Sequence, residues 1–141
     1  MNIKFLEAMS KIRKKSPDKA RARSLFDSAE STAREITKLP LTASTATIIF
    51  RELYECIRQL GDARWWLLGY SSETHEASME ILKEEKIANS ALLPKLDRFR
   101  QIRNNANYSG YLVSMAVAQE MLDFWKLCGV EILSKLKSEL K

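Results

Sequence analysis

The sequence predicts an all-α protein, an up-and-down bundle of four or five helices in a single domain spanning residues 1–141. Three observations lead there. Glycine occurs 4 times and proline 3 times in 141 residues, half or less of their usual shares of about 7% and 5%, so turn-formers are scarce. Leu, Ala, Lys, Glu and Arg, all good helix formers, are abundant. Apolar residues also recur in alternating steps of three and four along two long segments, and that 3.5-residue period suits helices packed nearly antiparallel. A chain of this length buries a sizeable core without staples.

The elements follow in order. Residues 1–16 read as a basic N-terminal arm or helix. Ser16-Pro17-Asp18 is a helix start, with the serine as N-cap and the proline at the first helical position. The helix that follows runs to about Lys38 and carries Ala22, Leu25, Phe26, Ala29, Ala33 and Ile36 on one face. "LPLT" at 39–42 breaks it. A second helix spans about Thr42 to Leu68, with its apolar stripe at Ala46, Ile49, Leu53, Cys56, Leu60, Ala63 and Leu67. "GYSS" turns the chain, a short helix occupies about 73–86, and a fourth runs from about 90 to 106. The last helix, about 111–139, has two adjacent apolar rows. Met115, Ala118, Leu122, Trp125, Gly129, Ile132 and Leu136 form one, and Val117, Met121, Phe124 and Cys128 the other. Two rows exceed what one neighbour covers, so this helix is either central in the bundle or shared with a second subunit.

Several classes drop out. No apolar run approaches the ~18–20 residues that cross a bilayer, so no membrane partner is expected. The first residues, "MNIKFLEAMSKIRKK", lack an apolar signal core. Cys56 and Cys128 have no CxxC context and fall on apolar helical positions, as small buried thiols do. His75 is the only histidine, which rules out a zinc site built from histidines; no metal and no cofactor are expected. The expectation is a soluble, cytoplasmic domain. Its formal charge of +5 is uneven: residues 1–23 hold eight Lys/Arg against Glu7 and Asp18. Such a basic end can follow a phosphate backbone, or be a solvated helix end.

The most informative stretch is "RFRQIRNNANYSGYLVS", residues 98–114. At 100° per residue, Leu92, Leu96, Phe99, Ile102 and Ala106 define the buried face of the fourth helix. Arg103 falls within that face, and Arg100 lies one turn before it. A guanidinium there requires a partner or a wet cleft, because an unpaired buried charge costs several kcal/mol. Glu52 or Glu55 on the second helix could supply the partner. After Asn104 the asparagines, Ser109 and Gly110 predict a helix end, which frees Asn107 and Tyr108. Arginine donors, amides and a phenol together suit a phosphate.

The fourth helix ending "RQIRNNANYSG", the long last helix, and the long second helix running into "GYSSETHE" resemble the HEPN family, the higher eukaryotes and prokaryotes nucleotide-binding domains. The resemblance covers about Pro17 to the end. The family motif is an arginine, often a polar residue after it, and a histidine a few positions on. Arg103 and Asn104 match the first two; Tyr108, after four intervening residues, stands at the histidine position. The resemblance implies an HEPN-like bundle, commonly a homodimer, whose motif residues bind RNA or nucleotide. It further implies toxin–antitoxin, defence or RNA-processing roles, in some members beside a small nucleotidyltransferase antitoxin. Many members are metal-independent ribonucleases in which the histidine assists proton transfer and the arginine steadies the phosphate.

A phenol with pKa near 10 is only about one part in a thousand ionised at neutral pH, so Tyr108 is a poor general base. His75 is the one imidazole that could join the site. It is expected in the first turn of the third helix, capped by Ser71 or Ser72, in a structural role or in the cleft. The reading is an RNA- or nucleotide-binding domain, degenerate as a ribonuclease and acting with a partner protein. Arg103, Asn104 and Tyr108 take the catalytic positions, and Arg100, Asn107 and His75 bind the ligand. An active metal-independent endoribonuclease and a structural dimerisation module are the alternatives.

Overall fold

The computed structural model describes residues 1–141 except Ser109 and Tyr111, so the expectations for those two lie outside the described residues. The chain is mostly helical, as the sequence predicts. Its elements are α1 (Ile3–Ala8), β1 (Ile12–Lys14), α2 (Lys19–Ile36), α3 (Ala46–Leu68), β2 (Tyr70–Ser72), α4 (His75–Leu82), α5 (Lys95–Tyr108), α6 (Met115–Phe124) and α7 (Val130–Glu139). A π-helical turn, Trp125–Gly129, joins α6 to α7 with helical backbone throughout, so the last two form one rod. None of the described helices is long and apolar enough to cross a membrane.

Helix α3 is the centre of the bundle. Twelve of its residues are buried, far more than a single stripe, because α2, α4, α5, α6 and α7 all pack against it. The last rod is also deeply inserted. Ala118, Met121, Phe124, Trp125, Cys128, Gly129, Ile132 and Leu136 are all buried within one chain. The double apolar row is therefore largely covered internally, which removes it as a reason to expect a second subunit.

Element boundaries differ from the sequence reading where a side chain offers a better cap. Asp18, not Ser16, is the N-cap of α2, its carboxylate accepting from the Arg21 amide at 2.8 Å. Thr74, rather than Ser71 or Ser72, caps α4. The hydroxyls of Thr42 and Thr45 tie residues 40–45 into a turn, which delays α3 to Ala46. Ser90–Leu92 is a short 3₁₀ turn before Pro94, so α5 begins at Lys95. Ser114 caps α6 by accepting from the Val117 amide, which moves the last helix start to Met115.

Two corrections are larger. "GYSS" does not merely turn: Gly69 ends α3 with φ +90°, a left-handed conformation open to glycine, and Tyr70–Ser72 then pair antiparallel with Ile12–Lys14. The N-terminal sixteen residues are accordingly not a simple arm or helix but α1 followed by β1, held by this ladder and the buried Leu6 and Ile12. In addition, α5 does not stop after Asn104 but continues to Tyr108, since burial of Ala106 holds the next turn against the core. Gly110, at φ +66°, lies just beyond.

One glycine sets up the site. A Cβ on Gly61 would overlap the Ser78 carbonyl, so its absence lets α4 press directly onto α3. The crossing is closed by the Trp65 indole N–H donating to the Ala77 carbonyl at 2.9 Å.

Candidate functional site

That close crossing brings the start of α4 beside Tyr54 on α3. The Tyr54 ring is 1% exposed, stacked on Phe50, and its hydroxyl lies 3.2 Å from His75 Nδ1. Burial pushes the Tyr54 phenol up to about 12, against the lowering pull of Arg103 and Arg100, so it keeps its proton at neutral pH. Which of the two groups donates follows from the imidazole tautomer. His75 is held below its ordinary pKa first by burial, then by the positive charges of Arg103 and Arg58. The ring is neutral at pH 7.

On the other side of Tyr54, α5 supplies the arginines. The Arg103 guanidinium carbon is 5.7 Å from the Tyr54 ring centroid, within cation–π reach. Among the described residues neither Arg103 nor Arg100 has a carboxylate partner. The Arg100 Nε is buried and meets no acceptor. The expected alternative partner, Glu55, is taken: Arg58 Nε reaches both its carboxylate oxygens at 3.1 and 3.0 Å. That contact, ahead of the charges of His75 and Arg103, holds the Glu55 carboxyl below its usual range. Glu52 is exposed.

Beneath this face runs a closed polar chain. Arg58 also pairs with Asp62; Ser78 donates to Asp62 Oδ1 at 2.5 Å, and the Ser72 and Ser78 hydroxyls are 3.0 Å apart. Burial raises the Asp62 carboxyl despite these contacts. The chain locks α4 to α3 and so fixes where His75 stands.

The site residues expected from sequence divide into two groups. Arg103, Arg100 and His75 converge around Tyr54. Asn104 is half-buried next to Arg103 on α5, whereas Asn107 is exposed and Tyr108 is 82% exposed at the helix end. The sequence reading missed Tyr54, Arg58 and Asp62, although a signal exists: they recur every fourth residue along α3, on one row of the helix.

Comparison with protein-family models, curated proteins and solved structures finds no match. The chemistry of the face therefore carries the argument alone. It offers two guanidiniums without carboxylate partners among the described residues, beside the His75 imidazole that the buried Tyr54 hydroxyl holds in place; guanidinium donors suit phosphate oxygens. No group of three or more His, Cys, Asp or Glu residues gathers at metal-binding distance among the described residues. Both cysteines are free and buried, and burial pushes the Cys56 thiol up to about 12, far from thiolate chemistry.

Proposed function

We propose that this chain is an HEPN-like RNA- or nucleotide-binding domain in which Arg103 and Arg100 receive a phosphate of the ligand. One observation carries the reading: the partly buried Arg103 guanidinium stands over the Tyr54 ring with Arg100 one turn before it, neither has a carboxylate among the described residues, and the buried Arg100 Nε finds no acceptor among them. A buried donor left unsatisfied costs about 1–3 kcal/mol, and an incoming phosphate oxygen removes that cost. Asn104 borders the ligand; Asn107 and Tyr108, at the open end of α5, contact the next nucleotide, Tyr108 by stacking on a base.

The domain is degenerate as a ribonuclease, because a tyrosine, Tyr108, stands where the motif has its histidine, and it acts with a partner protein such as a small nucleotidyltransferase antitoxin. It works in a toxin–antitoxin, defence or RNA-processing setting, as a homodimer. Support for a second copy comes from exposed Ile48, Leu112 and Met115. The Val113 amide, donating to Thr47 Oγ1 at 3.0 Å, ties the Leu112 segment beside Ile48. Sedimentation equilibrium at micromolar concentration should give a species of twice 16.2 kDa; a clean monomer removes the dimer.

A second reading, an active metal-independent endoribonuclease, is favoured by the meeting of His75 with Arg103 across Tyr54. Cleavage of mixed-sequence RNA in EDTA separates the two. The degenerate reading expects a silent wild type and a gain on Tyr108→His, up to the ~10²–10⁴-fold typical of general acid–base help. Cleavage by wild type that vanishes on His75→Gln selects the active reading instead. Cleavage that survives Arg103→Ala rejects the site altogether.

A further inference from the structure

The basic N-terminal segment finds its place at the opposite end of α3. The Lys15 amide donates to the Gly69 carbonyl at 2.8 Å and the Asp18 amide to the Trp66 carbonyl at 3.0 Å, which lays β1 and the first turn of α2 across the C-terminal end of α3. Trp66 is twelve residues from Tyr54, about 18 Å along the helix. The corner is thus well removed from the Arg100–Arg103 face.

Its exposed surface is nearly all cationic. Arg13, Lys14, Lys15, Lys19 and Arg21 are exposed. Arg13 lies 3.4 Å from Glu73 and Arg21 3.9 Å from Asp18, loose pairs at the surface that salt or a ligand readily displaces. Lys19 is engaged with the Lys141 carbonyl. Lys14 and Lys15 have no carboxylate partner among the described residues. The Arg21 guanidinium carbon lies 4.5 Å from the Trp66 ring centroid, which sets a planar cation on an aromatic ring at the edge of the patch. From Arg13 to Arg21 the exposed residues include no large apolar side chain.

We infer that this corner is a second binding surface, for the phosphate backbone of single-stranded nucleic acid. Lys14, Lys15 and Arg21 contact successive phosphates, and the Arg21–Trp66 pair offers a face for base stacking. Its cations are exposed and on the outer surface, so it reads charge along a strand and not sequence. A strand long enough to span both surfaces gains avidity that a short one lacks.

The test uses the full chain and fluorescence anisotropy with two oligouridylates, about four and about sixteen nucleotides long, the range of single-strand site sizes. The variant is Lys14→Gln/Lys15→Gln/Arg21→Gln, with thermal melting as a check on the fold. The variant should bind the long oligomer at least about tenfold more weakly at low salt. Its slope of log affinity against log salt should be shallower by about two, at roughly 0.7 for each single-strand phosphate that the removed cations had neutralised. Its affinity for the short oligomer should be unchanged. An unchanged slope and affinity for the long oligomer overturn the inference, as does a variant that loses binding only to phosphatidylserine vesicles. Arg103→Ala is the separate arm for the Tyr54 face. If it leaves short-oligomer binding intact while the triple variant loses the long one, that face fails and the basic corner stands.

Discussion

Arg64 and Arg103 are both partly buried arginines on helices of one bundle, yet their surroundings are opposite. Arg64 bridges α3 to Glu85, with Nε and Nη2 reaching its two oxygens at 2.5 and 3.3 Å, and also pairs with Glu139. Arg58, one and a half turns earlier, is likewise matched by Glu55 and Asp62. Among the described residues Arg103 and Arg100 have no carboxylate partner, and Arg103 rests over the Tyr54 ring. The difference separates arginines paired with carboxylates, Arg64 and Arg58, from arginines that, among the described residues, are not.

Breaking the paired side should cost most. Glu85 is 7% exposed and Arg64 15%, so Glu85→Ala removes the buried partner and leaves Arg64 only the exposed Glu139; it is expected to lower unfolding stability by about 1.5–3 kcal/mol. Chemical denaturation measures it, and a decrease under about 1 kcal/mol would put Arg64 in the same class as Arg103.

A smaller effect is expected at the join between the two regions. Tyr54→Phe keeps the ring under Arg103 and removes the hydroxyl from His75, for an expected loss of about 1 kcal/mol. Because Tyr54 is the group on Nδ1, the single histidine resonance should shift in the NMR spectrum; an unchanged spectrum would dissolve the Tyr54–His75 contact.

The smallest effect is protonic. His75 has a folded-state pKa below its unfolded value of about 6.5. Between the two values the unfolded chain binds more protons, so this group's contribution is full above about pH 6.5 and is lost as pH falls towards the folded pKa. Removing a neighbouring positive charge with Arg103→Ala should raise the His75 pKa, read from its imidazole shift. No movement would place Arg103 too far away to act on it.

The bundle was legible because its long helices repeat apolar residues at regular spacing, and composition excluded most sheet. The strand pair was not, since Ile12–Lys14 and Tyr70–Ser72 are three residues each, too short to show alternation, and their pairing joins distant parts of the chain. Caps failed locally: Ser16 and Asp18 are both competent, and only the fold selects Asp18. The end of α5 failed because asparagine propensity was outweighed by burial of Ala106. At the site, the mismatch of Arg103 with its apolar face was visible from spacing. The role of Tyr54 was not, because it depends on how closely α4 approaches Gly61, which no local pattern encodes. Tyr108, selected by motif position, and Asn107, selected from the expected helix break, lie exposed at the end of α5.

The central claim is that Arg103 serves a ligand and not the fold. The most direct test measures two quantities on Arg103→Ala: affinity for a short oligoribonucleotide by anisotropy, and unfolding free energy in urea. Affinity should fall by about 1.5–3 kcal/mol, the worth of a charge-assisted hydrogen bond, while stability changes by no more than the ~1 kcal/mol of an exposed cation–π contact. A variant that loses several kcal/mol of stability and binds the oligonucleotide as tightly as wild type would make Arg103 a structural residue and contradict the account.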